Sequence, residues 1–486
     1  MRHFVHDSYP TLGLLIDGQW VRAGSRHHRP VLNPASGEVL AQVPLATEDD
    51  IGDAIAAAER GFQVWKSVPT FERATVMRTI AHLIRENVER LATILTLEQG
   101  KRLTEAREEI RNTADAFEWM GEEGKRAYGR VVPARTADSD QLVRLVPAGP
   151  VAAFSPWNFP AVLAARKVAT ALAAGCSVII KPAEETPGIM VAIASLCMEA
   201  GLPNGVLNVL YGVPSEVSTR LIASPAISKL SFTGSVAVGR QLATQAGAAL
   251  KKITLELGGH APVIVMDDVD VDRVVDACIA AKFRNAGQLC ICPTRFYVHD
   301  AVYDQFTDRL ALRAGALRVG SGFDPGVQMG PMANQRRVEA MSHFCEDAVS
   351  RGARVVAGGR PPDNGDPGFF WLPTVLADMP DDAAAMVQEP FGPLALVSRF
   401  EDLDDALRRA NASEFGLAAY AFTRSLRSAH VIEHGLEAGN VSLNTFALSP
   451  PELPFAGIKN SGLGSEMGRE GLMEYMNLKS VIRSVA

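Results

Sequence analysis

From residue 150 onward the chain alternates short, continuously apolar runs with helical ones, and this alternation most narrows the folds open to it. VAAFSPW (151–157), SVIIKP (177–182), GVLNVLYG (205–212), KLSFTG (229–234), ITLELGG (253–259) and APVIVM (261–266) read as strands without the polar alternation of a half-exposed sheet. Helices lie between them, one from 160 and one that Pro187 opens with Thr186 placed to cap it. Strands apolar on both faces and joined by helices call for a parallel sheet covered on either side. A second alternation follows two closely spaced cysteines: RFYVHD, a helix over 301–317, ARVVAGG and EPFGPLALVSRF. The predicted class is α/β with two such domains, without short-period repeats or low-complexity segments.

Upstream, LLIDGQWV (14–21) is strand-like, and Thr47 is placed to cap a helix whose first turn is Glu48-Asp49-Asp50. Ile51, Ile55, Ala58, Phe62 and Trp65 give that helix one apolar face. Further helices are predicted over 71–98 and 103–127. RVVPARTADSDQLVRLVP (130–147) reads as two short strands around a polar turn, a ribbon suited to packing on another subunit.

A chain of 486 residues exceeds a single small core, so two or three domains are expected. With 47% hydrophobic and 21% charged residues it has the composition of a globular protein. The formal charge of -7 offers no basic excess for nucleic acid. Apolar runs such as ALAAGCSVII (171–180) are too short to span a bilayer, and MRHFVHDSYP lacks the apolar run of a secretion signal, so no membrane partner and a cytoplasmic location are expected. Six cysteines in so long a chain are expected as thiols.

Chemistry is sought beyond the carboxyl ends of the strands. FTGSVAVG (232–239) is a glycine-bearing turn into a helix, able to hold a pyrophosphate or simply to pack. In KPAE (181–184), Lys181 and Glu184 could meet ribose hydroxyls, the carboxylate repelling a 2′-phosphate, or could be solvated loop residues. Glu256 in LELGG is either a carboxyl with raised pKa fit for general base work or an outward-facing strand residue. Asn158 in SPWNFP offers a neutral donor to an oxyanion, or holds a turn. Cys290 and Cys292, in FRNAGQLCICPTR, lack the second ligand pair of a zinc site and the spacing of a CxxC redox motif, so no metal is expected.

SPWNFP, KPAEETP, FTGS, LELGG, FRNAGQLC and EPFGP, in this order and closed by PFAGIKNSGLGSE, resemble the NAD(P)-dependent aldehyde dehydrogenase superfamily over nearly the whole chain. Ala456 stands where the last motif's PFGG form has glycine. The resemblance implies an aldehyde dehydrogenase-like fold: a Rossmann-like parallel-sheet NAD-binding domain (1–129 and 148–256), an α/β catalytic domain (257–466) and a small β oligomerisation element (130–147 and 467–486), assembled as a homodimer or homotetramer. It makes Cys290 the nucleophile, Glu256 the base and Asn158, with the Cys290 N–H, the oxyanion donor. Trp157, Lys181, Glu184, Gly234, Ser235, Glu389 and Phe391 become contacts to NAD, with NADP possible. Cys292 becomes the partner of Cys290 in a strained, reducible disulfide, or a small neighbour without a redox role.

The wording around the cysteines is most similar to bacterial succinate-semialdehyde and α-ketoglutarate-semialdehyde dehydrogenases. That likeness assigns Arg166, Arg284 and Ser449 to the distal carboxylate of the substrate, for which arginine's planar fork is suited. The expected reaction is oxidation of such a semialdehyde to the dicarboxylic acid through a thiohemiacetal and thioester on Cys290, hydrolysed by water that Glu256 activates. The alternatives are a neutral or aromatic aldehyde, or a coenzyme-A-acylating enzyme, which would not need Glu256.

Overall fold

Eight strands form one sheet, in the order Gln19–Val21, Leu14–Ile16, Leu207–Val209, Val178–Lys181, Val151–Phe154, Lys229–Thr233, Lys252–Glu256 and Gly462–Leu463. The structure, a computed structural model, describes residues 9–484 apart from 23, 25, 364 and 366, so most of the MRHFVHDSYP segment lies outside the described residues. The five central strands are the predicted apolar ones, and they run parallel. Antiparallel neighbours close both edges. In this register Phe154 is level with Lys181 and Phe232, and Thr233 with Glu256. Ser155, Lys181, Thr233 and Glu256 thus reach one carboxyl edge, the edge where such sheets bind ligands.

The second sheet has seven strands: Arg354–Ala357, Thr374–Ala377, Leu394–Phe400, Pro293–His299, Ala261–Val265, Ala418–Phe422 and Asn440–Leu443. Leu257-Gly258-Gly259-His260 carries the chain from Glu256, at the carboxyl edge of the first sheet, to Ala261, at the amino end of a strand in the second. Pro293–His299 pairs in parallel beside Ala261–Val265, so the residues just before Pro293 arrive at the same place. That is how Cys290 comes near Glu256. Each sheet has its own core. One gathers buried residues from Leu12 to Leu257 together with Met467, Leu472, Tyr475 and Met476; the other gathers residues from Ala261 to Leu436.

The ribbon forms as Arg130–Val132 and Ser139–Pro147, and the terminal strand Met476–Ser484 adds to it antiparallel. Val131, Leu478 and Ile482 are exposed on this small sheet. The terminal segment is shared, because the helix Gly468–Glu474 packs into the first core before the strand leaves it.

Three local expectations are corrected. LLIDGQWV is two strands, hinged where Asp17 and Gly18 take left-handed backbone (φ 50° and 75°). The helix over 71–98 is two, Thr70–Glu86 and Val88–Gln99. Asn87 breaks it by turning its side-chain amide back onto the Leu83 carbonyl at 2.9 Å. Thr186 stands at the cap of Pro187–Glu199, but its hydroxyl makes no cap bond. Glu98 does that work from another helix, accepting from the Gly188 and Ile189 N–H groups at 2.7 and 2.9 Å.

Candidate active site

The segment before Cys290 is bent into a conformation few residues tolerate. Asn285, Ala286 and Gly287 have φ of 48°, 52° and 71° in succession. A Cβ on Gly287 would stand 2.2 Å from the Gly392 carbonyl oxygen, so glycine is required. Backbone held this way costs free energy and persists only where neighbours enforce it. Here the Asn285 N–H donates to Glu105 Oε1 (3.2 Å), Asn285 Nδ2 to the Asn158 carbonyl (3.0 Å), and Gln288 Oε1 accepts from Ala333 N–H (2.9 Å).

Glu256 ends its strand with 2% of its surface exposed, so the outward-facing alternative is excluded. Among the described residues neither carboxyl oxygen makes a hydrogen bond of ordinary geometry, and the Cys290 thiol is the group that interacts with it. Burial, then the charge of Glu466, push its pKa up to about 7. Burial and the adjacent Glu256 push the Cys290 thiol well up, because a thiolate beside a carboxylate in an enclosed place is costly. A carboxyl balanced near neutrality beside a thiol can accept a proton from that thiol or from water.

Asn158 Nδ2 donates to the Gln288 carbonyl at 3.1 Å, which aims the amide at the cysteine loop. Its own carbonyl is held from two sides, by Asn285 and by Lys101 Nζ at 2.8 Å. Lys101 pairs with Glu109 at 2.5 Å, both side chains fully buried, and lies 3.7 Å above the Phe159 ring. The other oxygen of Glu109 accepts from the Ala161 and Val162 N–H groups (2.9 and 3.3 Å), fixing the start of the helix Pro160–Ala174. Lys101, Glu105 and Glu109 are absent from the sequence reading. Their available signal was Glu105 and Glu109, one turn apart on the buried face of the helix Leu103–Gly124, where carboxylates are rare.

A parallel sheet takes its ligand in the crevice outside the carboxyl ends of its strands, and the residues expected at the cofactor begin at that edge of the first sheet. Ser235 caps the helix Val236–Ala248, and a Cβ on Gly234 would meet the Phe232 ring at 2.4 Å, so that ring would have to move to admit a side chain. Lys181 and Glu184 are buried and ion-paired with each other, so the solvated-loop alternative fails for both. Glu389 Oε1 accepts from the Gly259 N–H at 3.1 Å, and burial raises its pKa to about 8. Phe391 meets Trp157 edge-on at 5.5 Å between ring centres. Ser155 Oγ and Thr233 Oγ1, at the ends of neighbouring strands, are buried without a hydrogen-bond partner among the described residues. Orphaned donors, a helix N-terminus and a narrow glycine turn together fit a dinucleotide.

Of the residues expected at the distal end of the substrate, Arg166 and Ser449 come together: the guanidinium donates to Ser449 Oγ at 3.1 Å and lies 5.0 Å over the Phe455 ring. Arg284 is held elsewhere in part, 3.6 Å from Glu108 and 5.5 Å over Phe159. Cys290 and Cys292 are both free thiols. Cys292 is buried with its sulfur 3.3 Å from Lys282 Nζ.

A profile of the aldehyde dehydrogenase family matches residues 20–481. The chain belongs to that family. It is 49% identical to the 4-(hydroxymethyl)benzenesulfonate dehydrogenase of Comamonas testosteroni, over 96% of this chain and 97% of that one. It is 44% identical to the NADP(+) succinate-semialdehyde dehydrogenase of Escherichia coli (strain K12), over 96% of each. The crystal structure of succinate-semialdehyde dehydrogenase from Burkholderia pseudomallei superposes with a TM-score of 0.95 at 42% identity, covering 99% of both chains. The protein is thus an NAD(P)-dependent aldehyde dehydrogenase with this family's α/β fold.

Proposed function

We propose that this dehydrogenase oxidises an aldehyde carrying an anion at its far end, first of all a semialdehyde such as succinate or α-ketoglutarate semialdehyde. The observation that carries the reading is Arg166 beside the Ser449 hydroxyl, on the same helix whose start Asn158 precedes. A guanidinium with a hydroxyl at 3.1 Å offers a carboxylate several converging donors. Arg284 adds a second cation if the substrate draws it from Glu108. A sulfonate is a second reading, favoured by the Comamonas relative, because its oxygens accept from the same donors.

In this reading Cys290 Sγ attacks the aldehyde carbon as its proton passes to Glu256, and the resulting oxyanion accepts from Asn158 Nδ2 and the Cys290 N–H. NAD(P), when bound by the crevice of Lys181, Glu184, Gly234, Ser235, Glu389, Phe391 and Trp157, supplies the hydride acceptor. Once Glu256 has released that proton to solvent, it takes the proton of the water that hydrolyses the thioester left on Cys290, freeing the carboxylic acid and restoring the cysteine. The exposed apolar side chains of the small sheet, Val131, Leu478 and Ile482, suit burial against another copy of the chain.

The test is cofactor reduction with succinate semialdehyde, α-ketoglutarate semialdehyde, 4-formylbenzenesulfonate and a neutral aldehyde of matched length. Arg166→Ala is expected to lower kcat/KM for the anionic substrates about 10- to 100-fold, the cost of a lost charge-assisted bond, and to spare the neutral one. A neutral aldehyde oxidised as well as the anionic ones, by both proteins, overturns the substrate reading and leaves the dehydrogenase in place.

A further inference from the structure

The ribose end of the crevice is more crowded with charge than KPAE alone implies. Glu184 has little exposure, and each of its oxygens is engaged. Oε1 pairs with Lys181 and accepts from the Gly212 N–H at 3.3 Å; Oε2 lies 3.9 Å from Arg29 Nη1. The other end of that guanidinium, Nη2, donates to Glu185 Oε1 at 3.2 Å. Two cations therefore face two carboxylates here, where Lys181 and the two glutamates alone would leave an excess of negative charge.

Arg29 comes from far along the chain. It lies on the strand His28–Leu32, which pairs with Val39–Pro44 in a hairpin whose Val31 and Val43 are fixed in the first core. Just past the hairpin, the Ala46 N–H bonds the Tyr211 carbonyl at 2.6 Å, next to the Gly212 that touches Glu184. The backbone carrying Arg29 is thus anchored at this edge, whereas its side chain is 46% exposed. Its bond to Glu185 is a surface ion pair, which is weak. A phosphate dianion is a stronger partner for a guanidinium than a partly exposed carboxylate, because it is more highly charged and accepts two parallel bonds.

We propose that Arg29 is the residue that admits a 2′-phosphate at the adenosine ribose, so that this chain binds NADP+ as well as NAD+ despite the carboxylate of Glu184. Arg29 leaves Glu185 and, with Lys181, meets the 2′-phosphate; with NAD+ it stays on Glu185, and Glu184 serves the free hydroxyls. The proposal rests on the reading of Lys181 and Glu184 as the ribose contacts, concerns cofactor choice only and is independent of the substrate reading.

Calorimetric titration of the full chain with adenosine 2′,5′-bisphosphate and with AMP isolates this end of the site, and NADP+ and NAD+ repeat the comparison with whole cofactors. Arg29→Ala is expected to weaken the bisphosphate and NADP+ about 10-fold or more, while AMP and NAD+ change far less. Arg29→Lys should recover part of the loss. The difference should shrink as salt is raised, since the attraction is screened. Equal effects on both pairs, no effect on either, or a wild-type chain that takes AMP but refuses the bisphosphate each overturn the proposal. Thermal melting of each variant without ligand shows whether any loss comes from misfolding.

Discussion

Glu256 is a carboxyl enclosed beside the Cys290 thiol, making no hydrogen bond of ordinary geometry among the described residues. With its pKa raised to about 7, the base form is scarce below neutrality and dominant above it, so the hydrolytic step should rise with pH through that range. Glu256→Gln is expected to lower steady-state turnover about 100-fold or more, to remove the pH limb near 7, and, because Glu256 also takes the Cys290 proton, to slow the first-turnover burst of reduced cofactor. Stopped-flow kinetics over a pH series reads all three. A limb that survives in the variant belongs to another group, Glu389 with its pKa of about 8 being the nearest in kind. Cys290→Ala should abolish burst and turnover together while cofactor still binds. Cys290, Glu256 and Asn158 were singled out in the sequence, but no single motif gave any of them a role; the ordered set of motifs did. Lys101 was not singled out: it meets the Asn158 carbonyl across 57 positions, and no local pattern records that contact.

At the scale of elements, the cysteine is placed by a left-handed turn rather than by a helix or strand. Gly287→Ala puts a methyl group 2.2 Å from a backbone oxygen, where no flexible side chain can give way. We expect a loss of about 1–3 kcal/mol in stability, the usual scale of enforced backbone strain, and a fall in kcat larger than any rise in KM. Denaturant unfolding and steady-state kinetics check the two halves, and wild-type kcat would show that the turn does not set the position of Cys290. The five central strands of the first sheet were legible because apolar runs flanked by turns have few other uses, whereas Thr374–Ala377, Ala418–Phe422 and Asn440–Leu443 of the second sheet were not read. The element ends were less legible. Nothing between 71 and 98 is Gly or Pro, and the break at Asn87 comes from one side-chain bond to Leu83. Asp17-Gly18 was a readable hairpin turn that the flanking apolar residues masked. The cap of Pro187–Glu199 was illegible in principle, because a carboxylate from another helix outcompetes the threonine in place.

For the molecule as a whole, the formal charge of -7 counts every carboxyl as ionised. The fold does not allow that at neutral pH: burial raises Glu98 and Glu256 to about 7 and Glu389 to about 8. A carboxyl whose pKa is higher folded than unfolded stabilises the fold fully below its unfolded pKa, and that contribution is lost as pH rises through the folded value. Glu98 tests this apart from the proposed catalytic residues. It is fully enclosed, caps Pro187–Glu199 and accepts from the Tyr9 hydroxyl at 2.6 Å, yet burial outweighs these bonds and lifts it from 4.5 to about 7. That displacement is worth at most about 3 kcal/mol. Glu98→Gln cannot ionise. It carries a constant penalty, since its amide nitrogen cannot accept the bonds that one carboxyl oxygen takes from Tyr9 and Gly188. Only the change with pH is diagnostic. Between the ordinary carboxylate range and pH 8, the wild-type protein should lose its advantage over the variant by up to about 3 kcal/mol, read from paired denaturation curves. A difference that stays constant across that range would mean that Glu98 ionises as readily in the fold as in the open chain, and that burial at this helix start does not govern its charge.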